Sequence, residues 1–123
     1  NRTLERAQDL ARIDASRIRV VSWEQRNDAL DGAALVVNTT SQGMVGYPPL
    51  DLSLDALPKA AMVADIVYNP LETPLLAASR KRGNIAVDGL GMLLHQAVPA
   101  FEAFYGVRPH VSNELRRAVE ATL

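Results

Sequence analysis

The chain has 123 residues, 48% hydrophobic and 22% charged, with a formal net charge of -1 and a pI near 6.1. That length holds one modest domain. The charge balance argues against a general nucleic-acid or anionic-membrane binder, which needs a lysine and arginine excess. Any work on phosphate must rest on a few placed cations. The absence of cysteine rules out disulfides and thiolate metal sites and fits a reducing cytoplasm. No apolar run approaches the roughly 20 residues of a membrane span, and the opening residues lack the apolar core of a signal peptide. There is no initiator methionine, so the chain is expected to be part of something longer.

Thr3 is placed to cap a helix running to about Ile13, with Leu4, Ala7, Leu10 and Ala11 at helical spacing. Arg19 to Trp23 reads as a strand, and Glu24 to Leu30 as a short helix or turn closed near Gly32. Ala34 to Asn38 is a near-continuous apolar run, the mark of a parallel strand covered on both faces. A polar loop, Thr39 to Gly43, follows it. Pro48-Pro49 breaks the chain, and Leu54 to Leu57 suggests one helical turn. Ala61 to Tyr68 reads as the next strand, and Asn69-Pro70 turns out of it. Pro74 suits the first turn of a helix to about Arg82, ended by Gly83. Ile85 to Val87 is a short strand, and Leu90 to Tyr105 is the longest helix, stopped by Gly106 and Pro109. Asn113 is expected to cap a last helix reaching residue 123.

Strands alternating with helices give an α/β fold with a doubly wound parallel sheet. A Rossmann-like domain opens with a strand and a G-x-G-x-x-G turn. Neither is present, and Gly89-Leu90-Gly91 is only a partial match placed late in the chain. The sheet is therefore expected to be truncated, lacking the first strand, the glycine-rich turn and most of the second strand. In the order 3-2-1-4-5-6 those two strands are central. What remains is one lone strand and a group of three with a gap between them, a set not expected to form a contiguous sheet unaided.

Ligands of such sheets sit beyond the C-terminal ends of the strands, and the polar features gather there. If Asn1 marks the end of the second strand, Asn1, Arg2 and Thr3 stand where the adenosine ribose of a dinucleotide lies. Arg2 has the planar fork for a 2′-phosphate, and Arg6 is one helical turn on. A solvated helix start with two surface arginines accounts for the same residues. Asn38, Thr39, Thr40 and Ser41 put four hydrogen-bonding side chains in a row, which ordinary loop chemistry also favours. Tyr68 could aim its phenol into a cleft or serve as a core residue. Gly89, at a strand-to-helix turn, lets backbone approach a flat ligand or simply turns tightly. Met92 and Gln96 share a helix face. A glutamine buried there would need hydrogen bonds, which a polyhydroxylated substrate could supply. No histidine–carboxylate spacing suggests a metal site.

Four strings in this order resemble the shikimate dehydrogenase family: Asn1-Arg2-Thr3 with Arg6 and Ala7; Val37 to Met44; Asp65 to Pro70 continuing to Thr73-Pro74-Leu75-Leu76; and Asp88 to Ala97. The last is the most specific, while glutamyl-tRNA reductases carry an opening similar to the first. The resemblance implies NADP as cofactor and reversible reduction of 3-dehydroshikimate to shikimate in aromatic amino-acid synthesis. It implies that Asn1, Arg2, Thr3 and Arg6 clamp the 2′-phosphate and that Thr39, Thr40 and Ser41 line the nicotinamide half. Ile66 and Gly89 would contact the nicotinamide end, Met92 would pack on its ring, and Tyr68 and Gln96 would hold substrate. The family's catalytic lysine–aspartate pair belongs to an N-terminal substrate domain. Neither Lys59 nor Lys81 stands in a matching context, so no catalytic residue is expected here and residues 1–123 alone are expected to be inactive. Helices 90–105 and 113–123 would pack back toward the missing domain. The expected partners are shikimate or 3-dehydroshikimate and that domain, not nucleic acid or membrane, with homodimer formation left open. Two alternatives remain at this point: an enzyme of the same fold with another substrate, a quinate/shikimate dehydrogenase using NAD or, less favoured, a glutamyl-tRNA reductase, and a non-catalytic nucleotide-binding α/β module.

Overall fold

A computed structural model describes residues 3–123. Helix α1 spans Leu4–Ala11, with Thr3 as the extended N-cap residue, and buries none of its side chains. It stops short of the expected Ile13, which lies in the following turn and is 76% exposed. The strand expected over Arg19 to Trp23 does not form. The backbone there is irregular and leads into 3₁₀ turns at Trp23–Gln25 and Asp28–Leu30. A strand needs a neighbour to satisfy its amides and carbonyls, and the sheet of described residues holds none beside this segment.

The sheet contains β1 (Leu35–Asn38), β2 (Met62–Asp65) and β3 (Ile85–Val87) in the order β1-β2-β3, all parallel. The expected group of three thus forms a contiguous sheet, and only the lone strand is lost. β2 was expected to reach Tyr68 but ends at Asp65. There the Val67 amide turns back to donate to the Asp65 carboxylate at 3.0 Å, and Gly89 N donates to Val67 O at 3.2 Å.

Helix α2 (Pro74–Arg82) matches its expected bounds. Thr73 Oγ1 accepts from Leu76 N at its start, Pro74 occupies the first turn, and Gly83 closes it in the left-handed conformation. It packs on β2 and β3. Its Leu75 and Leu76 join Leu30, Leu54, Leu57, Ala61 and Val63 in the core, with Val36 and Ala86 at the margin. Buried Asn84 pins the chain before β2 by donating to the carbonyls of Pro58 (2.9 Å), Lys59 (3.1 Å) and Ala61 (2.9 Å). All of these apolar side chains lie on one face of the sheet. On the other, the register rows Leu35–Met62–Ile85 and Val37–Ala64–Val87 leave five large apolar side chains exposed.

Helix α3 (Leu90–Tyr105) also has its expected bounds, ending at Gly106. Helix α4 (Asn113–Glu120) is shorter than expected, and Ser112 rather than Asn113 caps it. The extended Ser112 backbone lets Oγ accept from Leu115 N at 3.2 Å, so Asn113 is already helical. Arg116 of α4 donates to Asp88 Oδ2 at 2.8 Å and pairs with Glu120 at 2.8 Å, tying α4 to the β3–α3 junction. The bond that Arg116 donates to Asp88, and the charges of Asp88 and Glu120, raise the Arg116 pKa above its usual value. Among the described residues no helix is long and apolar enough to cross a membrane, and no group of three or more His, Asp or Glu could hold a metal ion.

Candidate functional site

A cleft of about 530 Å³ opens beyond the C-terminal ends of β1 and β2, the place where open α/β sheets take ligands. One wall is the loop Thr39-Thr40-Ser41, and the facing wall is Ile66-Val67-Tyr68. Met44, Val45, Asn69 and Met92 complete the lining. The volume lies in the range of small-molecule sites. A hydroxyl-rich side opposite an apolar side suits a ligand with a polar edge and a flat hydrophobic face.

Local hydrogen bonds shape the first wall. Asn38 Oδ1 accepts from Thr40 N at 3.0 Å and Thr40 Oγ1 at 2.7 Å, and Thr40 Oγ1 accepts from Gln42 N at 3.1 Å. The Thr40 hydroxyl is therefore engaged in building the loop. Thr39 and Ser41 are exposed, and their hydroxyls bond to no other described residue. Gly43 turns the loop at φ +93°, a backbone angle that a side chain would strain. Its amide donates to Pro48 O at 2.8 Å, and Val45 N donates to Asn69 O at 3.1 Å across the cis Asn69–Pro70 peptide. These contacts fold Met44 and Val45 over the open side.

Of the two readings of Gly89, close approach to a flat ligand or a tight turn, the geometry matches the tight turn. A Cβ built there would lie 2.1 Å from Ile66 O and 2.7 Å from Val67 O. The space a side chain would take is filled by the β2 end, not by the cleft. The same close approach seats the start of α3, and with it Met92, beside Ile66.

The structure thus gathers Thr39, Thr40, Ser41, Ile66, Tyr68 and Met92 into one cavity, with Gly89 immediately behind it. It does not bring all the predicted residues there. Thr3 and Arg6 are exposed on α1 and do not line the cleft. Asn1 and Arg2 lie outside the described residues. Gln96 is exposed, one turn beyond Met92. The burial expected for it fails because no described element covers that side of α3. Lys59 donates to Arg82 O at 2.8 Å, outside the cleft, and Lys81 is exposed. Met44, Val45, Val67 and Asn69 were missed as lining residues. Met44, Val67 and Asn69 stood inside the family-like strings, but the convergence of Met44 and Asn69 depends on the Gly43 turn and the Val45–Asn69 bond, which spacing alone does not reveal. A second groove of about 320 Å³, lined by Arg19, Val20, Val21, Gln25, Asp28 and Ala29, runs beside the unformed strand.

No family model matches the chain. Curated relatives do. The chain is 58% identical over 123 residues to a shikimate dehydrogenase (NADP(+)) of Rhodopseudomonas palustris, covering all of this chain and 44% of that protein. Among solved structures it resembles quinate dehydrogenase from Corynebacterium glutamicum in complex with NAD, with a TM-score of 0.82 and 36% identity over 98% of this chain and 44% of that one. It also resembles shikimate 5-dehydrogenase from Thermus thermophilus in complex with NADP(H) and shikimate, with a TM-score of 0.79 and 30% identity over all of this chain and 44% of that one. The chain therefore spans less than half the length of these relatives, and its α/β architecture is that of a Rossmann-like domain.

Proposed function

The chain belongs to the shikimate dehydrogenase family, and from that premise we propose that it supplies the NADP-binding part, and one edge of the substrate site, of an enzyme that interconverts 3-dehydroshikimate and shikimate. The observation that carries this reading is the convergence of three separate strings of the sequence on one cleft at the strand ends.

The lining fits the nicotinamide end of a dinucleotide. Ile66, Val67 and Met92 offer an apolar surface for a flat ring, and Thr39 and Ser41 offer hydroxyls with no other described partner. When bound, NADP supplies the hydride chemistry. The task of this chain is to hold the ring in place and keep water from one side of it. Tyr68 and Gln96 are the residues proposed to reach substrate hydroxyls, and Gly89 keeps the β2–α3 junction tight enough for Met92 to reach the ring. At the other end, Asn1, Arg2, Thr3 and Arg6 are proposed to hold the 2′-phosphate. Thr3 and Arg6 are exposed. Proton transfer to the reacting oxygen is assigned to residues outside this chain. Helices α3 and α4 are proposed to pack toward the substrate domain of the longer protein, consistent with Phe104 and Tyr105 standing 84% and 69% exposed.

The resemblance to an NAD-bound quinate dehydrogenase favours one second reading, a quinate/shikimate enzyme that prefers NAD. Steady-state kinetics of the full-length protein with each cofactor separates the two. NADP should be preferred, and Arg2→Asp should lower kcat/KM for NADP by about 100-fold, roughly 2.7 kcal/mol of lost phosphate recognition. A preference for NAD in the unaltered protein, or indifference to Arg2→Asp, would defeat the NADP reading.

A further inference from the structure

The two walls of the cleft come from different strands, and a buried side chain outside the lining joins them. Asn38 and Asp65 are the last register pair of β1 and β2 and are 3% and 2% exposed. Asp65 Oδ1 accepts from Asn38 Nδ2 at 3.0 Å and from Val67 N at 3.0 Å. Its Oδ2 accepts from Thr73 Oγ1 at 2.8 Å. Asn38 Oδ1 in turn receives the amide and hydroxyl of Thr40. Thr40 of one wall and Val67 of the other therefore hang on a single side-chain pair. A third arm runs through Thr73 to Leu76 N in the first turn of α2.

The chemistry of the pair is specific. Three donors converge on the two carboxyl oxygens of Asp65, whereas an amide would turn an NH₂ group toward one of them. Filling space between a sheet and a helix requires no carboxyl group, and burying one is costly unless its hydrogen bonds are made. Here they are made, and they end on residues that line the cleft.

We propose that Asp65 is a positioning residue: its carboxyl group fixes the Thr39–Ser41 wall against the Ile66–Tyr68 wall, so that the gap is set before a ligand enters. The proposal rests on the reading that this cleft takes the nicotinamide end of NADP.

The test uses the full-length protein and two independent readouts. In Asp65→Asn, hydrogen exchange at the Thr40 and Val67 amides should quicken at least about tenfold, while the Val63 and Ala64 amides within β2 keep their protection. KM for NADP should rise about tenfold, and kcat should fall as well, because the wall that loosens carries Tyr68 and faces the ring. If Asp65→Asn does not fold, Thr73→Val carries the test. It should loosen the Val67 amide and raise KM for NADP about threefold, and Thr73→Ser, which keeps the hydroxyl, should restore both. A lowered Tm with exchange at Thr40 and Val67 unchanged, or with KM for NADP unchanged, overturns the proposal. An unaltered protein that does not bind NADP defeats the functional reading instead, and the exchange comparison still decides the role of Asp65.

Discussion

The two faces of the sheet carry the same kinds of residue and differ in what lies over them. On one, Val36, Val63 and Ala86 sit under α2 and the residues of the Leu50 to Leu57 segment, and Val63 is fully buried. On the other, Leu35, Val37, Met62, Ile85 and Val87 are 38–61% exposed. Parallel strands are apolar on both sides because both sides are normally covered. The contrast teaches that strand composition records the cover a strand is built for, even where no described element provides it. An apolar face of this kind calls for a partner layer.

Substitutions on the two faces should separate sharply. Leu76→Ala, beneath the covered face, should cost about 2–5 kcal/mol through lost burial and the cavity left behind, read as a fall in the urea midpoint of this chain. Such a loss is a large fraction of a small domain's stability. If Leu76→Ala proves neutral, the covered face is not the core. Arg116→Gln, which unties α4 from the β3–α3 junction, should cost about 0.5–1 kcal/mol, since both partners keep some solvent access. The difference from the unaltered chain should shrink as sodium chloride is raised. Val87→Ser, on the bare face, should shift the stability of this chain by no more than about 0.5 kcal/mol. The same change in the full-length protein should cost about 1–3 kcal/mol once a covering layer meets it. Equal effects in the two contexts would show that the bare face stays bare.

The sequence made α2 and α3 legible because their ends are set locally, by Thr73, Pro74 and Gly83 for one and by Gly106 for the other. The segment from Arg19 to Trp23 misled for the opposite reason. Its pattern is that of a strand, but a strand also requires a neighbour, which is not local information. At the site, Thr39 to Ser41, Ile66, Tyr68 and Met92 could be gathered from their place at strand ends and from the family-like strings. Asp65 stood inside one of those strings without any visible role. Only the register that sets it opposite Asn38, and the fold that returns Thr73 to it, give its carboxyl group three donors. Gln96 was expected to be buried, but the helix face carrying it has no cover among the described elements.

Because Gly89 lets main chain touch main chain at Ile66, one dimension of the cleft is set by bond lengths rather than by rotamers. Adjustment to thicker or thinner ligands falls to Met44 and Met92, whose unbranched thioether chains can slide without disturbing the backbone. The cleft thus joins a backbone fixed at Gly89 to flexible thioether chains, and the size of ligand it accepts should change most when the methionines are altered.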